Sequence, residues 1–162
     1  MYKTRKTFII LLTIFFMISC NNTIEKEIIN NSTINECEMF NVKFYYYQEQ
    51  DLFSYDATGY YIEAISLENL PIETKMLMEK YNGIKIDNIW YEGKRICVDL
   101  NINEINEFNK GSAAGAIRLS ELLKTFSSFP NVNEIEILIA GEKGCIGDHF
   151  MFDQIFFADE WQ

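Results

Sequence analysis

The stretch Lys94–Glu142, KRICVDLNINEINEFNKGSAAGAIRLSELLKTFSSFPNVNEIEILIAGE, decides how this chain folds. Ile96, Val98 and Leu100 alternate with Arg95, Cys97, Asp99 and Asn101. A period of two predicts a strand with one buried face. A polar loop follows, and then Ala113, Ala116, Ile117, Leu119, Leu122, Leu123 and Phe126 recur at helical spacing. Ser112 stands where an N-cap belongs, and Pro130 lies where the helix must already have stopped. Ile135, Ile137 and Ile139 alternate with Glu134, Glu136 and Leu138, a second strand, before a turn at Gly141. Strand, helix and strand together make one folding unit.

The chain upstream extends this unit. Val42, Phe44 and Tyr46 alternate with Lys43, Tyr45 and Tyr47 and predict a strand. Gln48–Gly59 reads as a polar turn region, and Tyr60–Leu67 as a second strand that can pair with the first. Asn69 and Pro71 open a helix whose buried stripe is expected at Ile72, Met76, Leu77 and Tyr81. Gly83 fits a helix C-cap. Ile84–Tyr91 then predicts a strand, turning at Glu92-Gly93 into the strand of Lys94–Asn101 as a hairpin. Ile89 and Trp90 break strict alternation, which a bulge or two-sided burial would explain. The fold class expected is α+β: a small sheet with two helices packed on one face, plus an N-terminal hairpin.

Val98-Asp99-Leu100, the Gly111-Ser112 helix start, the helix running into Ser-Ser-Phe-Pro, Asn131-Val132 and the Ile-Leu-Ile-Ala-Gly strand resemble, in order and spacing, the GerMN domain. This is the sporulation and spore germination domain of bacterial envelope lipoproteins. The likeness extends back to about Val42. The order helix, strand, strand, helix, strand from Asn69 is similar to the ring-building motif. The resemblance implies a non-enzymatic envelope role through protein–protein contact, in sporulation, germination or envelope assembly. It implies as partner either another envelope protein or further copies of the chain.

The first 19 residues read as a signal peptide. Lys3, Arg5 and Lys6 form a positive start, and Phe8–Ile18 is an apolar run broken only by Thr13. Such a run is shorter than the about 20 apolar residues that span a bilayer. Met17-Ile18-Ser19-Cys20 resembles a lipobox, with Met in place of the usual Leu. That implies a diacylglycerol thioether on Cys20, cleavage before it and acyl groups such as palmitate, hence an extracytoplasmic domain anchored to a bacterial membrane by its N-terminal lipid. An ordinary secretory signal with a chance cysteine is the plainer alternative. Residues 20–40 carry sparse isoleucines among Asn, Glu and Thr, with Asn30, Asn31 and Ser32 opposing a helix. They read as a tether, and residues 41–162 as the folded domain.

Net charge is −10, from 14 basic and 24 acidic residues. Without the three basic leader residues the balance is 11 to 24, or −13. Such a body is repelled by nucleic-acid phosphates, so no nucleic-acid partner is expected. At 48% hydrophobic and 15% aromatic, the chain can build a core without disulfides.

Chemistry-bearing residues are few. His149 is the single histidine, in Gly147-Asp148-His149 after Cys145. With no second histidine and no CxxC, neither a metal site nor a nucleophilic site is expected, and a loop histidine is the plainer reading. Beyond Cys20 the cysteines are Cys37, Cys97 and Cys145. Outside the cytoplasm Cys97 and Cys145 can pair, while the plainer reading treats all three as small apolar side chains. Asp99 can cap a loop or meet a partner, and Glu104, Glu107 and Asp99 read as a solvated edge. No acid/base constellation is present, so no enzyme activity and no cofactor are expected. Tyr45, Tyr46, Tyr47, Tyr55, Tyr60 and Tyr61 support a competing reading, a surface lipoprotein that binds a small molecule or glycan on aromatic faces. The aromatic tail after Phe150 is expected to close the core or to dock a partner at a sheet edge.

Overall fold

The computed structural model describes residues 38–48, 54–145 and 151–162. The leader, Cys20, the tether as far as Cys37, and His149 lie outside the described residues, while Met39 and Phe40 at the end of the expected tether belong to the first strand. Strands β1 (Met39–Tyr47) and β2 (Ala57–Ser66) form an antiparallel hairpin. Helix α1 (Leu70–Asn82) leads to β3 (Ile86–Glu92) and β4 (Arg95–Leu100). A short helix α2 (Glu104–Phe108) precedes α3 (Ser112–Ser127), β5 (Glu134–Ile139), β6 (Ile155–Phe157) and a terminal 3-10 turn (Ala158–Trp161).

The architecture is α+β. The second sheet has the order β3-β4-β5-β6. β3 and β4 are antiparallel, and β4 and β5 are parallel and joined through α3. β6 adds antiparallel at the far edge, opposite Glu134–Glu136. The sheet therefore has four strands where the sequence promised three. The aromatic tail supplies the extra one, burying Phe152 and Phe156.

Alternation on β4 and β5 works as read. Ile96, Val98 and Leu100, with Ile135, Ile137 and Ile139, face one core shared with Leu122, Leu123 and Phe126 of α3. Leu70 and Met78 bring α1 into the same core. In β3 the pairing slips between Ile86 and Asn88, which lets Ile86 and Ile89 both be buried although three residues apart. At Ile89-Trp90 the register is regular: Ile89 is buried and Trp90 is half-buried, so side chains on both faces are covered there and the bulge lies earlier in the strand.

Several local expectations are corrected. The β3–β4 turn is Gly93-Lys94, because Glu92 pairs with Arg95 and Gly93 takes φ 67°. Ser112 is the first helical residue of α3 and the capping position is Gly111, at φ 129°. On α1 the buried residues are Leu70, Thr74 and Met78, while Ile72 and Met76 are 63% and 67% exposed. Gly83 does cap α1 in the left-handed region, donating to Glu79 and Met78 carbonyls.

Candidate interaction surface

The hairpin packs Val42, Phe44 and Ile65 into the core, and its β1 edge is fastened by side chains at α3. Three backbone N–H groups of β1 donate to side chains of α3 and its C-cap: Lys43 to Ser128 Oγ at 3.1 Å, Tyr45 to Thr125 Oγ1 at 3.0 Å and Tyr47 to Glu121 Oε1 at 2.9 Å. Residues 121, 125 and 128 lie in one row on a helix, since positions four and three apart share a face. Every second residue of a strand sends its N–H the same way. A row on a helix therefore matches an alternate set on a strand. Asn82 of α1 completes the closure by donating to the Tyr45 carbonyl at 2.8 Å.

The neighbouring row secures the turn end. Ser120 Oγ accepts from the Ala57 N–H at 2.9 Å and donates to Asp56 at 2.6 Å. Lys124 Nζ meets the other Asp56 oxygen at 2.6 Å. Burial raises Asp56, but the bonds from Lys124 and Ser120 outweigh it and leave the carboxyl below its ordinary range. Burial pushes the Glu121 carboxyl up, with only partial relief from the Tyr47 N–H. Sequence reading missed this polar row. Its one signal was the polar set Ser120, Glu121, Lys124, Thr125 and Ser128 beside the apolar stripe of the helix.

The opposite edge, that of β2, carries no such cover. Tyr60, Tyr61 and Ile62 are about half exposed, and Thr58 and Ala64 are exposed as well. The tyrosines divide between the two hairpin faces. On one, Tyr61 stacks on Tyr46 at 4.9 Å and on Tyr81 of α1 at 4.4 Å between ring centres. The Tyr81 hydroxyl donates to Glu63. Gly59 makes room here, for a Cβ on it would lie 2.4 Å from the Tyr46 ring. On the other face Tyr45 and Tyr60 pair at 5.4 Å, with Lys43 over Tyr60 and Lys124 near Tyr45. An open cavity of about 370 Å³ beside them is lined by Tyr45 alone of the six tyrosines, with Asn41, Lys43, Ser127, Ser128, Phe129 and Gln162. The rings mostly meet one another.

The remaining predicted residues are scattered. Cys97 and Cys145 are free thiols, so the Cys97–Cys145 bridge is not formed. Cys97 is buried on the sheet face away from the helices, 3.7 Å from Glu136 Oε2, while Cys145 contacts the carbonyls of Ile139 and Glu142. Burial, then the charges of Glu92 and Glu136, push the Cys97 thiol up to about 11. A protonated thiol at neutral pH is a poor nucleophile. Glu92, Cys97 and Glu136 bring ligand-type atoms within 4.8 Å of one another. However, Lys143 binds one oxygen of Glu136 at 2.6 Å and Arg95 lies 3.7 Å from the other. The cluster is already balanced by its own cations.

Asp99, Glu104 and Glu107 do not form one solvated edge. Asp99 accepts from the Gly141 N–H at 2.8 Å and caps the loop after β5. Glu107 pairs with Lys110 at the surface. Glu104 is buried. It takes Arg118 Nη2 at 2.5 Å and Nε at 2.8 Å on one oxygen, and the Lys85 N–H at 3.0 Å on the other. Arg118 also donates to the Gly83 carbonyl at 2.8 Å. This knot ties α1, β3, α2 and α3 together.

Among the described residues no helix is long and apolar enough to cross a membrane. Neither a protein-family model nor a curated protein matches the sequence. Among solved structures the chain is similar to one from Clostridium perfringens described, provisionally, as a lipoprotein. The two share 15% identity, covering 75% of this chain and 89% of that one, with a TM-score of 0.47.

Proposed function

We propose that the chain is a lipoprotein, anchored by a lipid on Cys20 outside the cytoplasm, whose folded domain works by protein–protein contact in the bacterial envelope. The observation that carries the contact reading is the one-sided hairpin. One edge is sealed by α3, and the other offers Tyr60, Tyr61 and Ile62 beside unpaired backbone. Exposed strand edges with half-buried aromatic side chains are a recurring protein-docking device. The anchoring part rests on the leader, its short apolar run and Ser19-Cys20. The order of elements from Asn69 onward, similar to the GerMN arrangement, supports a role in sporulation, germination or envelope assembly.

The glycan-binding alternative draws less support. The tyrosine rings that would stack on a sugar stack on each other or lie under lysines.

Two experiments test the reading. Labelling cells with a palmitate analogue should mark the chain, and Cys20→Ser should lose both the label and membrane association. Lipid-free protein carrying Cys20→Ser, used as bait in envelope extracts beside its sedimentation mass, should show a defined protein contact. A chain that stays monomeric and retains no envelope protein would refute the contact reading.

A further inference from the structure

We infer that two copies of this chain pair through their β2 edges, antiparallel, about a two-fold axis at Ile62. The inference rests on the contact reading above and names the occupant of the open edge.

The register follows from the closed edge. In an antiparallel ladder, pairs that bond to each other alternate with pairs whose N–H and C=O groups point away. Lys43 and Tyr45 send their N–H groups outward to α3. Their cross-strand partners are Ile62 and Tyr60, and Ala64, opposite Asn41, continues the series. Tyr60, Ile62 and Ala64 therefore present their backbone groups on the free side of β2. The segment Thr58–Ile65 contains no Lys, Arg or Pro, the residues that commonly blunt an edge strand.

Outward residues must meet outward residues, so the two-fold axis of a symmetric pair falls on a residue. Centred on Ile62, the ladder sets Ile62 against Ile62, Tyr60 against Ala64 and Tyr61 against Glu63 of the copy. A large side chain meets a small one, and the one charge meets a tyrosine. Centred on Glu63, two carboxylates would face each other, which is unfavourable. Centred on Tyr61, Glu63 would face the copy's Gly59 and gain nothing.

Charge selects the same place. The chain carries −10 overall, so two copies repel over most of their surface. At this edge the single acid, Glu63, already accepts a hydrogen bond from Tyr81. Lys43 lies 4.9 Å over Tyr60, and Lys80 Nζ lies 3.0 Å from the Tyr81 hydroxyl. Two lysines and one acid make the β2 edge a non-repelling approach. One strand pair buries less than a standard interface of about 1,600 Å². The contact is weak in solution and is reinforced when lipid anchors confine both copies to one membrane.

The test uses the full chain in its membrane, with Cys37→Ala and Cys145→Ala. Ile62→Cys should give a disulfide-linked dimer on mild oxidation, because a bonded antiparallel pair holds its Cα atoms about 5.5 Å apart, within disulfide reach. Met76→Cys, more exposed but on α1, should give none. Equal yields from the two variants, or no dimer from Ile62→Cys, would overturn the pairing. Ile62→Pro removes only an outward donor, and Ile62→Lys sets two like charges face to face. Both should lower the dimer fraction of the chain held in its membrane, read by single-molecule photobleaching, and keep the melting transition. Dimer retained in both variants overturns the assignment to β2. A wild-type monomer that still binds an envelope protein overturns the dimer and leaves the contact reading intact, whereas a monomer that binds none overturns both.

Discussion

The two edges of the hairpin are built from neighbouring strands yet meet opposite fates. Along β1, backbone donors end on Glu121, Thr125 and Ser128 of α3. Along β2, the corresponding donors at Tyr60, Ile62 and Ala64 meet nothing among the described residues. The four-stranded sheet offers a third case, where β6 covers β5 with backbone from the tail. A strand edge can thus be finished by another strand or by a helix that carries acceptors at matching intervals. Where neither is supplied although both are available in the same domain, the omission points to use.

The contrast predicts hydrogen exchange first. Amides of Lys43, Tyr45 and Tyr47 should exchange slower, by orders of magnitude, than those of Tyr60, Ile62 and Ala64 in dilute monomer, read by NMR or mass spectrometry. Equal rates would erase the distinction. Next in size is Arg118→Met. It leaves Glu104 as an unpaired buried charge and should cost about 3–5 kcal/mol in denaturant unfolding. Because α3 carries both this pair and the sealing row, protection at β1 should fall with it. Thr125→Val then isolates one seal. Thr125 is fully buried, and losing its acceptor strands the Tyr45 N–H at about 1–3 kcal/mol. Ile62→Thr on the open edge should stay within about 0.5 kcal/mol. A similar cost for both would show that the edges are not energetically different.

A pH-dependent effect sharpens the chemistry of the seal. Burial raises the Glu121 carboxyl in the folded chain above its unfolded value of 4.5. The folded state then holds its proton longer. The corresponding stability is fully present below the unfolded value and is lost as pH rises through the folded one. Glu121→Gln keeps an oxygen for the Tyr47 N–H and removes the buried charge. It should flatten that decline and change stability at neutral pH by under about 1 kcal/mol, upward. A steeper loss with rising pH in Glu121→Gln would contradict the assignment.

Much of the fold is legible in the sequence where burial is one-sided. Ile96, Val98 and Leu100 and the isoleucines of β5 alternate because one face meets the helices, and a period of two survives in the text. On α1 the apolar row Ile72-Met76 looked like the core face. The row Leu70-Thr74-Met78 fits the same spacing, and tertiary packing chose it. Glu104 looked solvated because its partner, Arg118, lies 14 positions away and only the fold joins them. Helix α2 was missed because five residues carry too little periodicity. The candidate surface was the least legible part. The tyrosines were visible, but which strand edge stays open depends on pairing register and on where α3 lands.

The sealing contacts join residues 74 to 85 positions apart in the chain. Hairpins close locally in microseconds, whereas contacts of such separation come late. A chain made from its N-terminus presents β1 and β2 before residues 121–128 exist. During that interval the hairpin has two bare edges, and its first strand is as open to stray pairing as its second. Completion of α3 is therefore the step that makes the domain selective: before it the nascent chain can be captured from either side, and after it from one.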